Sequence, residues 1–392
     1  MASIAIQREM NAAQTADDDL ALYVHWPFCV SKCPYCDFNS HVRDSIDQAT
    51  WRDALLADLA HEAALLPGRR LTSIFFGGGT PSLMEPATVA AVIAAAKAQW
   101  QADDGIEITL EANPSSVEAA RFADLSAAGV NRVSLGLQSL DDDALAFLGR
   151  AHSVGEGLAA LDTAQRHFRR VSFDLIYALP GQHAENWDAM LGRALAFGTG
   201  HLSLYQLTIE PGTRFATMVG RHDFEPLDAD TAAELFECTQ ERTARAGLPA
   251  YEISNHARPG EESRHNLAYW RYRDYAGIGP GAHGRRLRQR TVRHKKPENF
   301  LAAVARNGHG LAEEEPLSRE EAGREALVMG LRLAEGIDTD ELAERLGVDR
   351  IVEEAAVVRL QALGLVERRG PRLAVTPPGR LLLDSILAEI AA

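Results

Sequence analysis

Six short apolar runs recur along the first half of the chain, each four to eight residues long: residues 22–26, 73–76, 107–110, 132–137, 171–177 and 202–209. Between most of them lie Ala-rich amphipathic stretches at helical spacing, such as 50–66 and 86–100. Strands that alternate with helices predict parallel pairing through right-handed crossovers. Six units fall short of a closed eight-fold barrel. The expected fold class is therefore α/β, a partial (β/α)6 barrel over residues 20–210. Residues 211–316 are less regular, broken by turns at Pro211-Gly212, at Pro259-Gly260 and across 277–284. From Leu317 the pattern changes. Helical runs at 319–334, 339–345 and 350–363 precede two strand-like pieces, 366–368 and 373–376, the order of a small winged-helix-like module over 317–392. Residues 1–19 are polar, end in three aspartates and are expected to form a disordered tail.

Unusual residues cluster where these predicted strands end. Cys29 follows the first strand, and Gly77, Gly78, Gly79 and Thr80 follow the second. Glu111 ends the third, Gln138 the fourth, and Asp174 lies within the fifth. In parallel β/α barrels the C-terminal strand ends form the active face, so five segments are expected to converge on one site.

Composition narrows the function. With 46% hydrophobic residues in 392, a sizeable core can be buried. A net charge of −15 argues against general nucleic-acid binding, which needs basic surface. The C-terminal module carries ten Arg and no Lys against fourteen acids, which argues against a DNA-binding wing. The opening residues lack the apolar core of a signal peptide, and no long uncharged apolar stretch predicts a spanning helix. A cytoplasmic location is expected.

Three of the four cysteines fall within eight residues, as Cys29-x3-Cys33-x2-Cys36. In a chain without a signal sequence this reads as metal binding rather than disulfides. Cys238 sits in a helix-like run and reads as a buried thiol. Three soft thiolates suit iron–sulfur or zinc. Zinc would need a nearby histidine to close the site, with His25 and His41 as candidates. A [4Fe–4S] cube would instead keep one iron open, which S-adenosylmethionine (SAM) can chelate.

The cysteine spacing resembles that of the radical SAM superfamily. Residues 23–29 (YVHWPFC), 33–38 (CPYCDF), 76–81 (FGGGTP), 134–139 (SLGLQS) and 174–181 (DLIYALPG) resemble its HemN/HemW branch. The likeness runs from Ala21 into the C-terminal module. It implies a [4Fe–4S] cluster on Cys29, Cys33 and Cys36, and cleavage of SAM to methionine and a 5′-deoxyadenosyl radical. It also implies SAM contacts at Tyr23, Tyr35, Gly78, Gly79, Thr80, Glu111, Gln138, Arg150 and Asp174. The residue types fit these roles. Glycines let a ligand approach the backbone, Glu111 can accept from ribose hydroxyls or an ammonium, and Arg150 can grip a carboxylate. In the oxidases of this branch, equivalents of Thr80, Gln138, Arg150 and Asp174 also contact a second SAM.

Two features separate the oxidase and heme-chaperone members. The oxidases carry a further cysteine where this chain has Phe38, and a longer N-terminal segment. Residues 265–270 (HNLAYW), following YEISN at 251–255, resemble the HNxxYW signature of the heme-chaperone (HemW) family. That resemblance implies heme bound by His265, Asn266, Tyr269 and Trp270. A neutral imidazole suits heme iron and the aromatic rings offer flat apolar surface. His256 and His283 are further candidates. Residues 285–296 hold seven basic side chains in twelve. They read as a solvated face, or alternatively as a surface for heme propionates or anionic lipid. The reading is a heme chaperone, dimeric and at the membrane periphery when it serves membrane cytochromes, that passes heme to apo-hemoproteins. The alternatives are an oxygen-independent coproporphyrinogen III oxidase and a radical SAM enzyme acting on heme itself.

Overall fold

The computed structural model describes residues 18–391. The tail expected over residues 1–19 lies, through residue 17, outside the described residues. Asp19 corrects its boundary. It opens the first strand, where its carboxylate accepts from the Arg70 guanidinium on the neighbouring strand.

Six parallel strands form the barrel wall: β1 (Asp19–Trp26), β2 (Arg70–Gly78), β3 (Gln101–Ala112), β4 (Arg132–Gln138), β5 (Arg170–Tyr177) and β6 (His201–Gln206). They pair in that order. Period-2 alternation explains their composition. Leu20, Leu22, Val24 and Trp26 of β1 are fully buried in the main hydrophobic core, as are Ile74, Phe76, Val133, Leu135, Phe173 and Leu202 on the strands that follow. The helix α1 (Gln48–Leu65) covers this outer face with Trp51, Leu55 and Leu59. The opposite, inward face is polar. It carries Ser73, Glu107, Thr109, Arg132, Ser134, Ser172, Asp174 and His201, which hydrogen-bond across strands, as Arg132 does to Thr109 and Ser134 to Asp174. A barrel packed only for stability would fill this space with branched aliphatic side chains.

The middle region is more ordered than its sequence pattern predicts. It adds the antiparallel strand β7 (Asn255–Ala257) beside β6. It also adds a seventh parallel strand, β8 (Asp274–Ile278), on the free edge of β1. Three antiparallel strands extend that edge: β9 (His283–Arg286), β10 (Gln289–Arg293) and β11 (Leu311–Pro316). One eleven-stranded sheet results. The short helix α2 (Arg264–Trp270) enters the barrel opposite the strand ends that carry the cysteines and glycines.

The basic run 285–296 is only in part a solvated face, with Arg288, Arg290, Lys295 and Lys296 exposed and Arg285, Arg286 and Arg293 buried. Arg293 is fully buried and bridges Asp58 and Glu62 of α1, and Arg286 reaches Glu62 and Glu314. Burial alone would raise the Glu62 carboxyl, but the two guanidiniums outweigh it and hold the group below its ordinary range. These arginines therefore clamp the β9–β10 hairpin onto α1. Cys238 is half-buried, its thiol facing Asp188, rather than fully enclosed.

The C-terminal module has its own core, built from Leu327, Leu331, Leu342, Val357, Leu360, Leu373 and Ile386. Its helices Arg319–Gly330, Thr339–Leu346 and Glu354–Ala362 pack with a three-stranded sheet of Ile337–Asp338, Arg372–Val375 and Val366–Arg369. Among the described residues, no helix is long and apolar enough to cross a membrane.

Candidate functional site

A cavity of about 420 Å³ opens at the C-terminal ends of the barrel strands. Cys29, Cys33 and Cys36 line one wall. Tyr35, Gly78, Gly79, Thr80, Glu111, Gln138, Arg150 and Asp174 line the rest. Of the residues expected at the SAM site, only Tyr23 stands outside it. Its ring lies one layer deeper, between Phe75 and His265, with its hydroxyl donating to Nδ1 of His25 at 2.9 Å.

Backbone hydrogen bonds hold the cysteine loop. Phe28–Cys29 pairs with His41–Val42, Gly79 N donates to Trp26 O at 2.7 Å, and Thr80 N donates to Phe28 O at 2.8 Å. The glycines are required sterically. Gly78 has φ of 111°, and a Cβ there would sit 2.6 Å from the His25 ring. A Cβ on Gly79 would meet Phe28 O at 2.7 Å and the Cys29 sulfur at 3.0 Å. At the end of β4 the pairing register shifts and Gln138 adopts φ of 67°, a left-handed conformation rare for a non-glycine residue. Strain of this kind collects where a side chain must be aimed at a ligand.

The thiols already have donors. Thr80 Oγ1 donates to Cys29 Sγ at 3.5 Å, and Arg150 Nη1 donates to Cys33 Sγ at 3.2 Å. Burial pushes the Cys29 and Cys36 thiols up. Thiolates there call for the compensating charge of bound iron, whose sulfur ligands are tuned by such hydrogen bonds. The zinc alternative fits less well. His25 Nε2 donates to Asn39 O, and His41 Nε2 is 3.2 Å from Asn39 Oδ1, so both candidate fourth ligands are engaged elsewhere. Among the described residues, no three His, Cys, Asp or Glu groups converge as a single metal ion requires.

Opposite the thiols, two carboxylates share a buried wall. Burial pushes Glu111 up to about 8, helped by the neighbouring Asp174 charge and opposed by Gly78 N, which donates to Glu111 Oε2 at 3.2 Å. Burial raises Asp174 to about 6, moderated by the hydroxyls of Ser203 and Ser134. A ligand bringing positive charge would let both ionise. Arg150 supplies the complementary cation. The cavity can therefore grip a zwitterion, with carboxylate towards Arg150 and cationic groups towards Glu111 and Asp174.

Asn113 escaped the sequence reading. Its side chain accepts from Arg150 Nη2 at 2.6 Å and donates to Thr80 Oγ1 at 3.0 Å, tying both to one another. The signal was available, because Asn113 lies two residues past Glu111 at the same strand end.

The 265–270 motif lies elsewhere, on α2. His265 packs against Ser73, five residues before Gly78 on β2, or roughly 16 Å along the strand. It is buried. Ser73 Oγ lies 3.0 Å from its Nδ1 and the Tyr269 hydroxyl 3.2 Å from its Nε2, and the ring stacks on Phe75 at 4.9 Å. Burial drives it down to about 3, so the ring is neutral. Asn266 Nδ2 donates to the Tyr251 hydroxyl, and the Tyr269 ring meets Tyr275 at 4.3 Å. Trp270 reaches the C-terminal module, under the Arg332 guanidinium. The structure thus places His265, Asn266 and Tyr269 in the barrel floor and Trp270 against the C-terminal module. His256 is fully buried with Nδ1 on Thr243. His283 is exposed, with no side-chain hydrogen bond among the described residues.

Residues 23–194 match the Radical SAM superfamily, and residues 317–382 match the HemN C-terminal domain. The chain is 40% identical to the Bos taurus protein named radical S-adenosyl methionine domain-containing protein 1, mitochondrial, over 94% of this chain and 87% of that one. It is 37% identical to heme chaperone HemW of Escherichia coli (strain K12), over 94% and 97% of the two chains. The solved structure of coproporphyrinogen III oxidase (HemN) from Escherichia coli superposes with a TM-score of 0.79 at 23% identity, covering 97% of this chain and 92% of that one. At that identity the likeness shows the fold.

Proposed function

The chain belongs to the radical SAM superfamily and, within it, to the family of the heme chaperone HemW, and from that premise we propose that it binds heme and passes it to apo-hemoproteins while carrying a [4Fe–4S] cluster and SAM. The main support is the barrel mouth. Three thiols, a glycine strip and a zwitterion-shaped polar wall meet in one cavity of a chain that matches the heme-chaperone relatives almost end to end.

In this reading Cys29, Cys33 and Cys36 hold three irons and leave the fourth for SAM. When bound, the cluster supplies an electron to SAM. The chain's own residues do the rest. Thr80 and Arg150 donate to the sulfurs and Asn113 fixes Arg150 and Thr80, while Glu111 and Asp174 would hold the cationic groups of SAM. Phe38 is 56% exposed at the cavity rim, so the position that is a cysteine in the oxidases presents apolar surface. Family resemblance would add His265, Asn266, Tyr269 and Trp270 as heme contacts, but both His265 ring nitrogens are engaged in the barrel floor, which argues against His265 as the iron ligand. For His265 to meet heme iron, α2 would have to leave the barrel floor. Delivery to membrane cytochromes, and dimerisation as the gate, belong to the same proposal.

Anaerobic reconstitution followed by heme titration and a coproporphyrinogen assay on one sample tests it. The expected result is one heme per chain, transferred to an apo-cytochrome, with no porphyrinogen turnover. Decarboxylated porphyrinogen without heme transfer would overturn the chaperone reading in favour of the oxidase.

A further inference from the structure

A heme-iron ligand must present a neutral imidazole with a nitrogen free to bond the metal. Most of the buried histidines do not qualify. His25, His201 and His265 each have both ring nitrogens in hydrogen bonds. His256 is wholly enclosed.

His283 differs in every respect. It opens β9 at the mouth end of the sheet, next to the turn where a Cβ on Gly281 would strike Asn39 and one on Gly279 would strike His25 O. Strand alternation fixes where its ring points. Arg286 faces outward to Glu62, whereas Arg285 lies over the Tyr272 ring at 3.5 Å and the Tyr275 ring at 5.4 Å. His283 shares the Arg285 side, the face that carries Tyr275 and His25. A charge on His283 would lower His25 further, and the His25 ring fills the space beside Gly78. Partial burial of the ring and the Lys295 charge lower His283 from its ordinary value, which favours the neutral imidazole.

The surroundings suit one ligand. Asn39 donates to Pro280 O and Lys295 O, both at 2.9 Å, which clamps the cysteine loop to the hairpin. Phe38, next to Asn39 in the same loop, is exposed. Lys295 is exposed and has no ion pair among the described residues. A free imidazole, a nearby unpaired ammonium and exposed aromatic surface match iron, propionate and macrocycle.

We propose that heme binds on this inner face at the barrel mouth, with His283 as its axial ligand, Lys295 at a propionate and Phe38 against the macrocycle. The inference rests on the heme-chaperone reading. It places the heme one residue, His25, away from the glycine strip of the SAM cavity, and leaves His265 in the floor.

The test is heme titration of the full chain and of the variants His283→Ala, His265→Ala and Lys295→Glu. Axial ligation is followed by electron paramagnetic resonance and resonance Raman, and folding by circular dichroism. His283→Ala should keep the native dichroism and lose the histidine-ligation signature. Its heme affinity should fall roughly tenfold or more, and added imidazole should restore the signature. His265→Ala should keep the signature, and Lys295→Glu should weaken binding without changing it. A His283→Ala protein with unaltered spectrum and affinity would overturn the proposal. Failure of the unsubstituted chain to take up heme would overturn the chaperone reading itself, and is recognised before any substitution is made.

Discussion

The two ends of this barrel are made by the same strands and treat polar residues in opposite ways. At the floor the groups pair closely. Glu107 accepts from Arg170, from the Arg264 and His265 backbone, and His201 lies between Ser172 and Tyr251. At the mouth they are held in place but kept hungry. Glu111 and Asp174 are pushed towards their neutral forms, two of the thiols are raised, and Gln138 is strained. A buried polar group that is satisfied stabilises the fold, whereas one left short of charge is poised for a ligand.

That contrast can be broken experimentally. Replacing any one of Cys29, Cys33 or Cys36 by Ala should abolish cluster assembly, read as iron and sulfide per chain, with the apo-fold unchanged in urea. If such a variant retained a full cluster, the mouth would not be the iron site.

The floor should show the reverse. Glu107→Gln removes the negative charge facing Arg170 and leaves one acceptor oxygen where two served Arg170, Arg264 N and His265 N, and should cost about 3 kcal/mol in urea unfolding, with cluster content unaffected. His265→Ala should cost about 2 kcal/mol. A floor variant that lost the cluster but not stability would erase the distinction between the two ends.

Gly79→Ala sharpens the mouth. Its Cβ would press on the Phe28 carbonyl and the Cys29 sulfur, so SAM affinity should fall by roughly tenfold or more, measured by calorimetry on reconstituted protein.

The smallest expected effect concerns pH. Glu111 is raised from 4.5 to about 8 in the ligand-free fold. For an acid raised on folding, the stabilising contribution is full below pH 4.5 and is lost as pH rises to about 8. Ligand-free protein should therefore lose stability over that window, and Glu111→Gln should lose less. SAM affinity should rise with pH across the upper part of the window in the unsubstituted chain and flatten in the variant.

Much of the mouth was legible in sequence because each part is local. A thiol triplet, a glycine strip after a strand and an acid at a strand end each declare themselves within a few residues, and the β/α alternation brings them to one face. The floor was less legible. Nothing near His265 in sequence announces Ser73, Phe75 or Glu107, which arrive from strands more than 150 residues away.

The chain's own pattern of apolar runs, helical stretches and clustered cysteines determined the barrel, its active face and the candidate cluster ligands, because periodicity and spacing are properties of neighbouring residues. Tertiary structure alone decided the rest. It added β8 to the edge of β1, and it turned part of a basic run into a buried clamp, since Arg286 and Arg293 find Asp58 and Glu62 only when the hairpin meets α1. It enclosed one histidine and left another open. Burial and partnership depend on what arrives from distant sequence, and no local pattern of residues encodes that.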